Sequence, residues 1–221
     1  MSECIPTKED SLELSKMFHE IKNPLALIIS SLQLIESDHP EVHSFRFWDQ
    51  TIEDIAALRR LIDELSSFQK GDLISPKLIN LFDFTEDLLE STAAFLMETG
   101  TPLTYESSID DLDFYGDEVK LRQAVINLLK NAAESTPPGK GITLKISADE
   151  HYLSLSVIDE GCGIPKCQLS KIFEPFHTTK SYGTGLGLPI VKKIVESHHG
   201  KLSIHSVEGA GTTVRILLPL S

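Results

Sequence analysis

A heptad repeat of apolar residues in the first third of the chain constrains the fold more than any other feature of the sequence. From position 14 to position 35 the spacing of the apolar residues alternates between four and three, which is an a/d pattern kept for three heptads. The members of this heptad seam are Leu14, Phe18, Ile21, Leu25, Ile28, Leu32 and Ile35. The pattern predicts a long amphipathic helix.

A second helix is predicted shortly after the first. Pro40 interrupts the seam, and helical periodicity resumes from Trp48 to Phe68 before it ends at Gly71. Two helices joined by a short turn form an antiparallel hairpin. Such a hairpin cannot bury the apolar faces of both helices alone, so we expect residues 8–71 to form a dimeric four-helix bundle in a homodimer. Heptads are also typical of any bundle or coiled coil, and the dimer is therefore an inference.

The second part of the chain has the pattern of a mixed α/β domain. It follows the segment KGDLISPK, which we interpret as a linker. Helices are predicted over about 82–98, from Asp117 (as N-cap residue) to about Ser135, and over LPIVKKIVESHHG. β-prone runs include PLTYES, LDFYG and the pairs ITLKISA/YLSLSVID and KLSIHSV/TTVRILLPL. The predicted fold class is α+β, with the helical hairpin followed by an α/β layered sandwich over residues 72–221 in which helices cover one face of a mixed sheet.

Composition and charge exclude several classes of protein. The chain has 221 residues and a net charge of −13, which argues against a nucleic-acid-binding protein. Its longest apolar stretch, PLALIISSLQLI, is too short to span a bilayer, and no secretory signal opens the sequence. The three cysteines (Cys4, Cys162 and Cys167) have no paired spacing, which is typical of a reducing compartment and predicts a cytoplasmic location.

The last third of the chain is mildly basic and rich in glycine, which suggests an anionic nucleotide as ligand. Residues 119–221 contain 12 bases and 8 acids. A P-loop is absent, and none of the clusters GCG, GTGLG and GAG extends to the G-x-G-x-x-G of a dinucleotide-binding fold. Each cluster taken alone could be no more than a turn.

The order and the neighbours of these clusters favour a nucleotide site. Asp159 ends a predicted strand, where an aspartate can accept a hydrogen bond from an exocyclic amine such as that of adenine. Glycines that run into a helix N-terminus, as in GTGLGLPIVKKI, favour phosphate binding. Asn127 and Asn131 lie four residues apart on one helix face and can bind a metal and polar groups from the same side. Mg²⁺ that carries a triphosphate needs only one or two protein oxygens.

Six short motifs resemble, in order, those of one enzyme family. NLLKNAAEST, DEGCGI, FEPFHTTK, GTGLGL and GAGTTV closely resemble the N, G1, F, G2 and G3 boxes of the ATP-binding domain of sensor histidine kinases, and FHEIKNPL resembles their H box. The resemblance covers about residues 8–219 and is closest to the soluble kinases of the nitrogen-regulation and sporulation type. It implies ATP and Mg²⁺ as the ligands of the second domain.

The resemblance also implies a role for each matching residue. Asn131 would bind Mg²⁺ and Asp159 would bind the adenine amino group. The other residues implied in the nucleotide site are Asn127 near the phosphates, Gly161 and Gly163 around the base, Gly183, Gly185 and Gly187 in a lid, and Thr212 near the adenine. Lys130 and Lys180 could neutralise phosphate, although a solvated position is more usual for lysine.

One position separates this sequence from the hydrolytic ATPases of the same superfamily, which include the gyrase, chaperone and mismatch-repair types. Those enzymes have a water-activating glutamate one helical turn before the metal-binding asparagine, and here that position is Asn127. Without a positioned base, attack of water on the γ-phosphate is expected to be slow.

The H-box resemblance assigns roles to residues of the first helix. His19 follows Phe18 of the heptad seam and is expected on the flank of the bundle, where its ring would attack the γ-phosphorus. Glu20 would orient the ring and take its proton, and Asn23 would orient a water during dephosphorylation of the partner. Without the motif, His19 and Asn23 would be interpreted as ordinary surface residues. Pro24 removes a hydrogen bond to the carbonyl of Glu20, and we hypothesise that this weak point lets the helix alternate between bent and straighter forms.

The sequence is therefore interpreted as the catalytic core of a two-component histidine kinase. Mg·ATP would phosphorylate His19, and the phosphoryl group would pass to an aspartate in the receiver domain of a separate response regulator. Two alternatives remain: a phosphotransfer or phosphatase protein with a vestigial ATP domain, and a protein-serine kinase of the related anti-sigma type. Only 18 residues precede His19, so the signal is expected from an input domain outside this sequence or from a separate sensory or regulatory protein. The start at Met1 favours a naturally short protein.

Overall fold

The described part of the chain forms two compact units. The computed structural model describes residues 8–109, 112–180 and 183–220, so Cys4 lies outside the described residues. One unit contains residues 8–70 together with the described residues of the segment 180–184. The other contains the remaining described residues from 71 onward.

The first unit is a helical hairpin, as the heptad pattern predicts. Helix α1 (Lys8–Asp38) is followed by a short 3-10 turn (Pro40–Ser44) and by helix α2 (Trp48–Gln69). Leu25 of α1, Val42 of the turn and Ile62 of α2 are buried. Helix α1 continues through Pro24, which lies inside it.

Much of the heptad seam stays exposed in this hairpin. Leu14, Ile21, Ile28 and Ile35 are between 41% and 48% exposed. A groove of about 830 Å³ runs between the two helices and is lined by apolar residues such as Ile29, Leu32 and Ile55, with Arg59 and Glu36 among its polar residues. The hairpin alone therefore leaves a large part of its apolar face accessible to solvent.

His43 connects the two helices at the tip of the hairpin. Its Nδ1 atom lies 2.8 Å from a carboxylate oxygen of Asp49 in α2, and its Nε2 atom lies 3.0 Å from one of Glu36 in α1. Only the imidazolium, which has an N–H on each nitrogen, can donate to both carboxylates. The hydrogen bond to Asp49, with the added attraction of Glu36, raises the pKa of His43 above its ordinary value.

This arrangement predicts a pH dependence of the hairpin tip. Because the pKa is raised in the folded state, the stabilising contribution of His43 is fully present below the unfolded value of ~6.5 and is lost as the pH rises through the folded-state value. An NMR titration of the imidazole should give a raised pKa for His43 in the native chain, and Asp49→Asn should bring it back toward ~6.5. Asp54→Asn, on the same helix but bonded to Gln50, is the control and should leave the titration of His43 unchanged. An identical titration curve in Asp49→Asn would contradict the assignment.

The second unit is built on a mixed sheet, as predicted. Its five strands, in spatial order, are β2 (Leu103–Ser107), β4 (Ile142–Ala148), β5 (Tyr152–Asp159), β7 (Gly211–Pro219) and β6 (Lys201–Val207). β2 is parallel to β4, and the other neighbours are antiparallel. The hairpins β4–β5 and β6–β7 are the two strand pairs predicted from their alternating patterns.

A separate two-stranded sheet was not predicted. β1 (Lys77–Asn80) pairs antiparallel with β3 (Asp113–Gly116), and β1 begins at the last residue of the segment interpreted as a linker. Ile79 and Phe114 point into the core, whereas Leu78 and Tyr115 are exposed. The pairing therefore buries one side chain of each short strand, and the local sequence pattern was too short to predict it.

Three helices complete the second unit. Helix α3 (Leu81–Thr99) packs on α4 (Glu118–Ser135), and α4 packs on α5 (Gly187–Ser197) and on β5. The carboxylate of Asp117 accepts the Lys120 N–H at 3.1 Å, so it caps α4 as expected. Glu118, in the first turn, pairs with Lys77 and Arg122, and these hydrogen bonds lower the pKa of its carboxyl group. Within the described residues, no helix combines the length and the apolar character that a bilayer crossing requires.

Candidate functional site

A small cleft in the second unit lies between helix α4 and the ends of strands β5 and β7. Its polar lining includes Asn131, Asp159 and Thr212, and Gly163 also borders it. The remaining lining is mostly apolar and includes Leu128, Val157, Ile164, Leu188, Ile204 and Val214. The cleft has a volume of about 60 Å³, which is small beside the ~300–1,000 Å³ of typical ligand pockets.

The carboxylate of Asp159 is the hydrogen-bonding centre of this cleft. Asp159 is the last residue of β5 and is 9% exposed. Its Oδ1 atom accepts the N–H of Gly161 at 2.8 Å and the N–H of Thr212 at 3.0 Å. The side chain therefore joins the end of one strand to the loop that follows it and to the start of β7.

Two of the predicted glycines are required by close backbone contacts. A Cβ on Gly161 would lie 2.6 Å from the carbonyl oxygen of Ser135, and one on Gly163 would lie 2.1 Å from that of Val207. Gly163 also has a φ of +66°, which side-chain-bearing residues rarely adopt. These positions therefore shape the loop beside Asp159.

The sequence did not predict the role of Ser206. Its hydroxyl accepts the N–H of Ile164 at 2.8 Å, donates to the carbonyl of Gly211 at 3.1 Å and lies 2.9 Å from the hydroxyl of Thr212. Ser206 thus connects the loop after Asp159 to the start of β7. Its position two residues before the EGAG turn is the only signal in the sequence, and serine is too common in strands and turns for that signal to be specific.

Asn131 lies beside the N-terminus of α5. A Cβ on Gly187, the first residue of α5, would be 3.6 Å from Nδ2 and 4.0 Å from Oδ1 of Asn131. The half-buried amide therefore faces the end of a helix that favours anions. An amide oxygen is a suitable ligand for Mg²⁺, so the chemistry of this position fits the predicted metal. Asn127 lies one turn earlier on α4 and is also half-buried.

Gly185 is fixed against the segment that contains the FEPFHTTK motif. Its carbonyl accepts the N–H of Phe176 at 3.1 Å, its φ is +70°, and a Cβ there would lie 2.5 Å from the carbonyl carbon of Phe176. Only glycine allows the two segments to approach so closely.

The two lysines predicted to neutralise phosphate are not among the residues that line the cleft. The ammonium of Lys130 is 5.9 Å from the centre of the Phe95 ring on α3. Lys180 and Gly183 belong to the segment that groups with the helical unit. Their predicted roles stay predictions.

The three H-box residues lie on α1 in the first unit. His19, Glu20 and Asn23 are all exposed, so the ring of His19 is accessible to a second reactant. The ion pair between Lys22 and Asp63, at 2.8 Å, joins α1 to α2 close to this position.

Comparison with known proteins identifies similar sequences for nearly the whole chain. Residues 116–221 match the family described as histidine kinase-, DNA gyrase B- and HSP90-like ATPase. Sporulation kinase A of Bacillus subtilis (strain 168) is 36% identical over 206 residues, which cover 91% of this chain and 33% of that protein. Sporulation kinase C of the same organism is 32% identical over 204 residues, which cover 91% and 47%. The chain thus spans about half, or less, of the length of these curated relatives.

A solved structure extends the similarity to both units. The histidine kinase ThkA, in a crystal structure with the response regulator protein TrrA, is 25% identical to this chain. The match has a TM-score of 0.68 and covers 93% of this chain and 60% of that one.

The geometry of the site predicts that removing the charge of Asp159 weakens the binding of adenine nucleotides selectively. Asp159→Asn keeps an oxygen for the two backbone N–H groups but replaces the other oxygen with an amino group, which would oppose the amino group of adenine. Because hydrogen bonds to charged groups contribute ~1.5–3 kcal/mol, the Kd for ATP should rise at least ~tenfold. Isothermal titration calorimetry with ATP and with GTP measures the change in Kd. GTP binding should be weakened less, since guanine offers an acceptor at the same ring position.

Asp149→Asn is the matched control for this experiment. Asp149 also accepts two backbone N–H groups, those of His151 and Tyr152, in a turn outside the cleft. Its substitution should leave the Kd for ATP within ~twofold, which is below the tenfold change equal to 1.4 kcal/mol. An equal loss of ATP and GTP affinity in Asp159→Asn would argue for a structural role alone.

Proposed function

We propose that the chain is a sensor histidine kinase of a two-component system and that it catalyses Mg·ATP-dependent phosphorylation of its own His19. We assign residues 8–71 to the dimerisation and phosphoacceptor domain and residues 72–221 to the catalytic ATP-binding domain. The phosphoryl group then passes to an aspartate in the receiver domain of a separate response regulator.

The main support for this proposal is the arrangement around the cleft of the second unit. Asp159 and Thr212 lie at one side of it, and Asn131 lies against Gly187 at the N-terminus of α5. Asp159 can accept a hydrogen bond from the adenine amino group, and the apolar lining suits the faces of the adenine ring. The N-terminus of α5, with the amide of Asn131 beside it, suits the phosphates. This arrangement favours a functional ATP site over a vestigial one.

The residues of the second unit would bind and orient the nucleotide. Asp159 would accept from the adenine amino group, and Asn131 would hold Mg²⁺. Bound Mg²⁺ would neutralise phosphate charge during transfer. The backbone N–H groups at the start of α5 would hold phosphate oxygens, and Gly185 would allow the lid to lie close to the segment at Phe176.

His19 and Glu20 would carry out the transfer. The unprotonated ring nitrogen of His19 attacks the γ-phosphorus in line, while the bond from that phosphorus to the bridging oxygen breaks and ADP leaves with the electron pair. The proton on the other ring nitrogen passes to the carboxylate of Glu20. The exposure of His19 and Glu20 on α1 is compatible with such a reaction at the surface of the helical unit.

A homodimer is part of the same proposal. The exposed residues of the heptad seam and the apolar groove between α1 and α2 are the surface that a second hairpin would cover in a four-helix bundle. Burial of apolar surface provides about 25 cal/mol per Å², which favours such an assembly.

The partners proposed outside the chain are a response regulator and a source of signal. ThkA has been crystallised with a response regulator protein, and the similarity of this chain to ThkA supports a receiver domain as the acceptor. Asn23, four residues after His19, would orient a water for dephosphorylation of that partner. A cytoplasmic location and input from an additional domain or a separate sensory protein complete the proposal.

Labelling with γ-³²P-ATP tests the proposed function. The native chain should acquire label that is labile in acid and stable in alkali, as expected for phosphohistidine, and His19→Ala should acquire none. His39→Ala is the matched control, because His39 is another exposed histidine of the helical unit, and it should label like the native chain. Label from the native chain should then move to a receiver domain.

The other outcomes distinguish the alternatives. Absence of self-labelling, with ATP binding intact, would favour a kinase that acts on a bound partner. Absence of both would indicate a vestigial ATP domain. Acid-stable label would exclude His19 as the acceptor.

Pro24→Ala tests the proposed weak point in α1. Replacing an interior proline restores a backbone hydrogen bond and removes a ~3 kcal/mol constraint on the helix, so it should favour the straighter form. The ratio of autophosphorylation rate to regulator dephosphorylation rate should change by at least ~twofold, a small part of that energy. Ser30→Ala, on the same helix and exposed, is the control. An unchanged ratio in Pro24→Ala would overturn the hypothesis.

A further inference from the structure

The segment between α2 and β1 is fastened to the second unit at several points. The N–H of Ser75 donates to Oδ2 of Asp117 at 2.8 Å. The ammonium of Lys193 lies 3.6 Å from the carboxylate of Asp72. Residue 71 also takes part, since the hydroxyl of Ser197 lies 3.5 Å from its carbonyl oxygen. The last two contacts are weak, because one is an exposed ion pair and the other is at the limit of hydrogen-bond distance.

Asp117 is the strongest of these attachment points. Its carboxylate has a separate oxygen for each of two backbone donors: Oδ2 accepts from Ser75, and Oδ1 accepts from Lys120 at the start of α4. Its own N–H donates to Nε2 of His198 at 2.9 Å. One residue thus connects the segment 71–76, the N-terminus of α4 and the end of α5.

His198 fixes the backbone of Asp117. The ring is buried, and its Nδ1 atom lies 2.7 Å from the carbonyl oxygen of Ile194. Since a carbonyl only accepts, Nδ1 carries the hydrogen, and Nε2 is left to accept the N–H of Asp117. The neutral ring therefore connects the end of α5 to the residue that caps α4. A Cβ on Gly116 would lie 3.5 Å from this ring and 2.7 Å from the side chain of Leu121.

The attachment continues into β1. Lys77, the first residue of that strand, forms an ion pair with Glu118 at 3.0 Å. Contacts to α4 and α5 thus occur at residues 71, 72, 75 and 77, although the amino-acid sequence of this segment suggests a flexible linker. On the other side, α2 ends at Gln69 and the first compact unit ends at Lys70.

We propose that Asp117, held by His198, is a positioning residue that fastens the segment 71–76 to the second unit and so confines the hinge between the two units to the junction of Lys70 and Gly71. A chain attached by a short hinge samples fewer orientations than one attached by a free segment of several residues. With a short hinge, His19 and the bound nucleotide therefore meet more often in productive geometry. This inference rests on the proposed function, because its consequence is the rate at which His19 is phosphorylated.

Asp117→Asn tests the attachment directly. Asparagine keeps one accepting oxygen, sufficient for an N-cap, and presents an amide N–H₂ in place of the second oxygen. In the native chain the amide hydrogen of Ser75 should exchange slowly, and in Asp117→Asn it should exchange at least ~tenfold faster, while that of Lys120 stays protected. Ser75→Pro, which removes the N–H donor and leaves Asp117 intact, should have the same effect on catalysis. Asp83→Asn is the control, since Asp83 is an exposed acid in the first turn of α3.

Kinetics separate positioning from a general structural defect. Both variants should keep the Kd for Mg·ATP within ~twofold of the native value, because the nucleotide site is unchanged. They should lower the autophosphorylation rate at saturating ATP at least ~fivefold, because His19 and the γ-phosphate meet less often in the geometry needed for transfer. Asp83→Asn should change neither quantity.

The outcomes that would overturn the inference are distinct from failure of the proposed function. Rapid exchange of the Ser75 amide in the native chain would show that the segment is not fastened. An autophosphorylation rate within ~twofold of native, which corresponds to well under 1 kcal/mol, would show that fastening does not position the reactants. A parallel rise of the Kd for ATP would indicate distortion of the cleft. If the native chain does not label at all, the proposed function fails, and the exchange measurement still decides whether Asp117 fastens the segment.

Discussion

The buried carboxylate of Asp159 is the interaction on which the geometry of the cleft depends. A charged group with so little exposure is costly unless it is hydrogen-bonded, and two backbone N–H groups meet that need. To donate these bonds, the loop after β5 and the first residues of β7 must both approach the end of β5. The approach leaves no room for side chains, since a Cβ on Gly211 would lie 2.0 Å from the carbonyl oxygen of Asp159. The aspartate and the glycines of two separate motifs are therefore consequences of one contact.

The sequence predicted the long elements of the fold and missed the features that depend on distant pairing. Helices α1, α2 and α4 have strong periodicity and clear ends, such as the Asp117 cap, and the two strand hairpins are local in sequence. β1 has only four residues, follows Pro76, and is a strand because it pairs with β3 over thirty positions away. The parallel pairing of β2 with β4 is equally non-local. Neither pairing leaves a periodic signal in its own segment, so no local pattern could have predicted them.

Residues of the site were predictable where the backbone imposes a rare requirement. Gly163 and Gly185 have positive φ and face backbone atoms at short range, which is why glycine marks these positions. Ser206 makes three hydrogen bonds beside the cleft, yet serine is too common in strands and turns for the sequence to mark it. Lys130 shows the opposite case. A lysine is common on helix surfaces, so its residue type alone does not settle its role; its ammonium lies 5.9 Å from the centre of the Phe95 ring, and the phosphate role stays a prediction.

The side chains available for general-base catalysis explain why a kinase is favoured over a hydrolase. Among the described residues that line the cleft, the carboxylate is Asp159, and one of its oxygens already accepts two N–H groups. One turn before Asn131 on α4 is Asn127, whose amide cannot take a proton from water. The general base proposed for phosphorylation is instead Glu20, which lies next to His19 on α1. In the proposed reaction the base thus reaches the γ-phosphate only together with the acceptor that needs it, so the same arrangement that permits phosphorylation of His19 limits the loss of ATP to water.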